Sequence, residues 1–207
     1  SGAVFASDMR ARCDGENVEE AISSMITSNV YACRVAMDLL ERKKESSGIH
    51  SCTDVTGFGL IGHLLEMLVA NDESEEEFDS ISASLDLKSI PFLKGAVEAS
   101  NDKITSSLHR ENFRARRAVS NHAEASSSCA IKYPLLFDPQ TAGGLLFFVS
   151  PDVCDDFVHE LSCNNGVKCA AVIGELCSYQ AQLSNVESTC EIGTKCTETA
   201  NRIHINF

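Results

Sequence analysis

Residues 51 to 63, SCTDVTGFGLIGH, constrain the fold more than any other stretch of this 207-residue chain. Gly57 and Gly59 stand between Thr53-Asp54-Val55, which reads as the end of a strand, and Leu60, where an apolar run begins. Glycines so close together weaken helix and strand interiors alike. They mark a turn, or a place where something approaches the backbone closely. The stretch therefore predicts strand, tight turn and helix, with Asp54 at the strand terminus beside the helix N-terminus. Free amides and the helix dipole attract phosphate oxygens there. A carboxylate repels phosphate, but it can hold Mg²⁺, a hard cation that bridges carboxylates to phosphates. On this reading Asp54 is a candidate metal ligand, and Gly57 and Gly59 let the backbone approach closely without Cβ atoms in the way. The plainer alternative is that Asp54-x-Thr56-Gly57 caps the helix and turns the chain. The stretch matches neither G-x-G-x-x-G nor G-x-x-x-x-G-K-[ST].

A second glycine stretch is DPQTAGGLLFFV, residues 138 to 149. Asp-Pro opens a turn, and Gly143-Gly144 leads into a continuous apolar run typical of a buried strand. Gln140, Thr141, Gly143 and Gly144 would flank the same cleft; the alternative is a glycine bulge entering a strand. No Gly-x-Ser-x-Gly occurs, and His50, His109, His122, His159 and His204 are scattered, so none receives a role. His63 and Glu66 lie one turn apart, opposite the apolar face of helix 60–70, and read as a solvated polar pair.

The remaining chain supplies the frame. Residues 17 to 44 read as helix, divisible at Ser28-Asn29, with Ile22, Met25, Ile26, Val30, Cys33, Met37 and Leu40 as one apolar stripe. Residues 71 to 79, NDESEEEFD, read as a solvated acidic connection. Residues 80 to 87 alternate as a half-buried strand. A short helix or turn follows Phe92, residues 98 to 112 read as a polar loop, and a modest helix spans 111 to 125. Helix 153–162 turns Val153, Phe157, Val158 and Leu161 inward. Strands at 168–176 and through Ile203, Ile205 and Phe207 close the chain. Irregular connections between these helices and strands favour an α+β fold, helices packed on one face of a mixed, mainly antiparallel sheet.

Composition narrows the partners. The formal net charge is −13, which repels nucleic acid and anionic lipid. No apolar run reaches membrane-spanning length, and SGAVFASDMRAR lacks the apolar core of a signal peptide. Ten scattered cysteines without a C-x-x-C pair read as reduced thiols of a cytoplasmic protein rather than a zinc site. Cys33, Cys154 and Cys169 sit in apolar patterns and read as small core residues.

Taken together, the motifs resemble a known family. CTDVTGFGLIGHLLEM (Cys52–Met67) resembles the TDVTGFG-[LI]-LGH motif of selenophosphate synthetase (selenide, water dikinase). FDPQTAGGLLFFVSP (Phe137–Pro151) resembles its DPQTSGGLL motif, and Gly174-Glu175-Leu176 its IGE-[LI]. The resemblance covers roughly residues 17 to 180. It implies the C-terminal α+β domain of the aminoimidazole-ribonucleotide-synthetase-like superfamily, in residues 14–207, after a flexible segment 1–13. It further implies an enzyme that makes selenophosphate, AMP and phosphate from selenide, ATP and water with Mg²⁺, for selenocysteine synthesis. Asp54 matches that family's metal ligand in this domain, and Thr56, Gly57 and Gly59 match the motif's turn, which the resemblance implies would line the same cleft. The nucleotide-binding half, the Cys or selenocysteine nucleophile and the homodimer contacts belong to an N-terminal half that this sequence does not contain. The chain is thus expected to be a fragment, inactive alone. Ala142 replaces the family's usual Ser, and Glu98-Ala99-Ser100 stands where Pro-Gly-Gly is usual. A rival reading is a non-catalytic scaffold or regulatory paralogue in selenoprotein synthesis.

Overall fold

A computed structural model describes residues 1–42, 48–70, 81–163, 166–178 and 202–207. The acidic connection, Lys43, Lys44, Cys190 and Cys196 lie outside the described residues. The helices are α1 (Gly2–Asp8), α2 (Gly15–Met25), α3 (Val30–Arg42), α4 (Gly59–Ala70), α5 (Lys94–Asn101), α6 (His109–Asn112), α7 (His122–Ser128) and α8 (Pro151–Cys163). The strands are β1 (Ile49–Asp54), β2 (Ile81–Asp86), β3 (Leu145–Val149), β4 (Gly174–Ser178) and β5 (Ile203–Asn206).

The architecture is α+β, with the described strands in two sheets rather than one. β1 and β3 form an antiparallel pair, and β2 lies between antiparallel β4 and parallel β5. The main core gathers Ile61, Leu64 and Leu68 of α4, Leu85 of β2, and Ile203 and Ile205 of β5. Tyr133 and Phe137 join it from a 3₁₀ turn at Tyr133–Phe137. A second cluster joins α1 to α5 through Val4, Ala96 and Ala99. A third packs Val35, Ala36 and Leu39 of α3 on Val153, Phe157 and Leu161 of α8.

Several expectations need correction. Residues 1–13 are not a flexible segment throughout, because residues 2–8 form α1 and bury Ala3, Val4 and Ser7. The division at Ser28-Asn29 is real, yet the predicted stripe of large apolar residues faces outward. Ile26 is 78% exposed, Met37 55% and Ile22 46%. Small residues decide instead: α2 buries Asn17 and Ala21, and a Cβ on Gly95 of α5 would come within 2.6 Å of the Asn17 Cβ. Such close helix contact favours the small-residue face over the bulky one. Cys33 and Cys169 are exposed rather than in the core.

Of the stretch 98–112, residues 102–108 form the expected loop, which buries Ile104, while the two ends belong to α5 and α6. The helix expected over 111–125 is a 3₁₀ turn at Phe113–Ala118 followed by α7. Val119 breaks it, adopting extended backbone and bridging in parallel to Ile203. The strand expected over 168–176 begins only at Gly174, where a Cβ would strike the Ser84 carbonyl oxygen at 2.2 Å.

Candidate functional site

The two glycine motifs meet because β1 pairs with β3. Asp54 lies opposite Leu145, and the Val55 amide donates to the Gly144 carbonyl at 2.9 Å. One residue further, the Gln140 amide donates to the Thr56 carbonyl at 2.9 Å, and the Gly59 amide to the same oxygen at 3.1 Å. The turn after β1 and the loop before β3 are thus tied together by backbone bonds. Two asparagines lock them from outside. Asn112 Nδ2 donates to the Gly57 carbonyl (2.8 Å) and the Phe137 carbonyl (3.1 Å), and Asn29 Nδ2 to the Gly143 carbonyl (3.0 Å).

The four glycines divide into two kinds. Gly59 has φ +71°, and a Cβ there would meet the Phe137 carbonyl carbon at 2.8 Å. Gly143 is tighter still, since its Cβ would fall 1.9 Å from the Val55 carbonyl oxygen. Both serve packing between the two loops. Gly57 and Gly144 face open space, with nothing within 4 Å of a built Cβ. They are the positions where another molecule can approach the backbone.

Asp54 is exposed at the end of β1. Among the described residues no hydrogen bond or ion pair engages its carboxylate, which leaves a pair of hard oxygen donors. Among those residues there is also no group of three or more His, Cys, Asp or Glu able to hold a metal. A lone carboxylate such as Asp54 could serve a cation only as one ligand among others supplied from elsewhere. This is the manner of Mg²⁺, which commonly keeps waters and phosphates around one or two carboxylates. Next to it, partial burial together with nearby Cys33 and Asp54 pushes the Cys52 thiol up to about 11. A thiol shifted in this direction has less thiolate character than a free cysteine.

Gln140 is engaged structurally: its Nε2 donates to the Asp138 carbonyl at 3.0 Å, and its Oε1 accepts from the Ser1 nitrogen at 2.5 Å. Thr141 is exposed, and its amide donates to Ser1 Oγ at 3.0 Å. Gln140, Gly143 and Gly144 line a cleft of about 1150 Å³ with Asn29 and Val55. Asp54, Thr56, Gly57 and Gly59 are not among its lining residues.

His63 and Glu66 are not a solvated pair. His63 is 7% exposed, with Nε2 3.2 Å from Thr56 Oγ1 and Nδ1 3.0 Å from Glu66 Oε2. Burial follows from the turn, which folds Thr56 back over the first turns of α4. Thr56 lies before α4, which begins at Gly59, so helical spacing gives no signal for its contact with His63. Asn112 had no signal either, because its partners are 25 and 55 residues away.

The sequence matches a described family. A family profile, AIR synthase related protein, C-terminal domain, matches residues 1–181, and the chain belongs to that family. Among its relatives is a selenide, water dikinase of Agathobacter rectalis, 37% identical over 149 residues, covering 70% of this chain and 36% of the relative. That of Pelobacter propionicus is 36% identical over 175 residues (84% and 44%), and that of Clostridioides difficile 31% over 159 (76% and 40%). The chain thus spans less than half the length of these relatives, and the motif resemblance is met in its family.

Proposed function

We propose that this chain is the C-terminal part of a selenide, water dikinase, an enzyme making selenophosphate, AMP and phosphate from selenide, ATP and water. The observation that carries the reading is the exposed Asp54 carboxylate, which no hydrogen bond or ion pair engages among the described residues and which the β1–β3 register sets opposite Leu145, next to the open backbone of Gly144. Asp54 holds Mg²⁺, which supplies charge neutralisation on the ATP phosphates when bound. Thr56 offers a hydroxyl, and the open glycines admit phosphate oxygens near the backbone. Gln140 and Thr141 brace the loop before β3.

Phosphoryl transfer needs several cationic groups acting together, and one carboxylate does not assemble them. The chain alone is accordingly inactive and works within a longer polypeptide, which dimerises through its other half. Its abundant cysteines suit a cytoplasmic setting. Among the described residues no helix is long and apolar enough to cross a membrane.

³¹P NMR of ATP, Mg²⁺ and selenide tests this reading, run with this chain and with a full-length parent. Selenophosphate from the parent alone is the expected result, with Asp54→Asn abolishing it. Product from the isolated chain would overturn the half-site reading. No product from either would favour the scaffold reading, which the exposed apolar stripe of α2 and α3 also suits.

A further inference from the structure

We propose that the arginine cluster at residues 110–117 is a binding pocket for a phosphate group carried by a small molecule. The proposal does not depend on the reading of Asp54 given above. The chain has 17 lysines and arginines against 30 acidic residues, yet Arg110, Arg114, Arg116 and Arg117 stand together. With His109 and Phe113 they line one pocket of about 450 Å³.

The backbone explains why they converge. α6 runs directly into the 3₁₀ turn at Phe113–Ala118. With three residues per turn, side chains at i and i+3 eclipse, which pairs Arg117 with Arg114 and Arg116 with Phe113. The second pairing is seen directly. The Arg116 guanidinium carbon lies 5.0 Å from the Phe113 ring centroid, and its Nη1 donates to the Phe113 carbonyl at 3.0 Å.

The floor of the pocket is fixed. Phe113 meets the fully buried Tyr133 and Phe137 edge-on and stacks on His109 at 5.5 Å. His109 Nε2 donates to the Pro134 carbonyl at 3.1 Å, and Asn112 ties the same segment to the Gly57 and Phe137 carbonyls. A site held in this way costs less to order on binding.

What the pocket offers a ligand is N–H donors. Arg110, Arg114 and Arg117 are exposed, and among the described residues no ion pair engages Arg110 or Arg117. Arg114 pairs with Glu111 at 2.8 Å, but both side chains are more than half exposed, and such pairs are worth little. Guanidinium forks match phosphate oxygens two at a time, and a phosphate has three strong acceptor oxygens to share among them. Two features argue against a nucleic-acid strand. Strand binding uses open aromatic faces for base stacking, and here His109 and Arg116 already lie against the Phe113 ring. The formal charge of −13 also repels a long polyanion. A compact phosphate sees mainly the local cluster, because exposed charges beyond about 8 Å are screened at physiological salt.

Titration of this chain with inorganic phosphate tests the proposal, at fixed ionic strength with EDTA present, followed by ¹⁵N NMR of the arginine Nε–H groups. Saturable shifts are expected at Arg110 and Arg117. Arg110→Gln and Arg117→Gln should each weaken binding roughly 10-fold, the loss of about one hydrogen bond to a charged group. Arg34→Gln removes the same charge from an exposed position of α3 and should change nothing. Asp54→Asn should not weaken binding either. AMP is the second probe. Tighter binding than inorganic phosphate marks a nucleotide as the source of the group, equal or weaker binding marks free phosphate, and both uphold the pocket. Shifts that grow without saturating, or an equal loss in Arg34→Gln, overturn it as general charge attraction. Saturation by a hexaglutamate peptide but not by phosphate overturns it in favour of an acidic protein partner.

Discussion

At the residue scale, the glycines divide by what a methyl group would meet. Gly143→Ala should cost about 2 kcal/mol or more, since overpacking in tight sites costs 1–3 kcal/mol and the intruded atom is backbone oxygen. Gly59→Ala adds the strain of φ +71° to a similar clash. Gly57→Ala and Gly144→Ala should stay within about 1 kcal/mol of wild type, because nothing lies near the added carbon. Urea denaturation of the four variants checks the division. Equal losses at all four would mean that Gly57 and Gly144 are packing residues too. The glycine pairs were legible in the sequence as turn markers, but the two uses of glycine were not. Sequence shows where a side chain is missing, and only the neighbouring chain shows what fills the gap.

At the element scale, α1 depends on a residue far along the chain. Asp138 is 2% exposed, and its Oδ2 accepts from the Ala3 amide at 2.9 Å, in the first turn of α1. A helix N-terminus has amides with no internal partner, and a carboxylate there both accepts and complements the dipole. The sequence showed only an Asp-Pro turn, because the residue that caps α1 is 135 positions away. Asp138→Ala should cost roughly 1–3 kcal/mol by leaving a buried donor unpaired, and hydrogen exchange at Ala3 should accelerate. Asp138→Asn keeps an acceptor and should cost less. Unchanged exchange in Asp138→Ala would show that α1 is held by its apolar contacts alone.

At the scale of the whole molecule, the outward face of α2 and α3 separates pattern from packing. Periodicity located both helices and their break, but chose the wrong face. The core accepts Ala21, Ala36 and Val35, and leaves Ile26 and Met37 in solvent. Ile26→Lys and Met37→Lys should each change stability by less than about 0.5 kcal/mol, as surface substitutions do. Were the stripe in the core, even truncation to alanine would cost about 2–5 kcal/mol. Thermal denaturation of each variant, monitored by circular dichroism, decides between these magnitudes.

The sequence by itself determined the strand–turn–helix around Asp54, the loop entering β3, the α+β class and the family. Each of these is carried by residues close in the chain, where backbone preference and motif spacing act. Tertiary structure alone decided that Asn112 ties Gly57 to Phe137, that Asp138 caps α1, and that α2 and α3 turn Ala21, Val35, Ala36 and Leu39 inward. It also decided that His63 is buried between Thr56 and Glu66. The physical reason is common to all four. A polar group or helix face is satisfied by whichever partner the folded chain brings within reach, and for most of these contacts that partner lies far away in sequence.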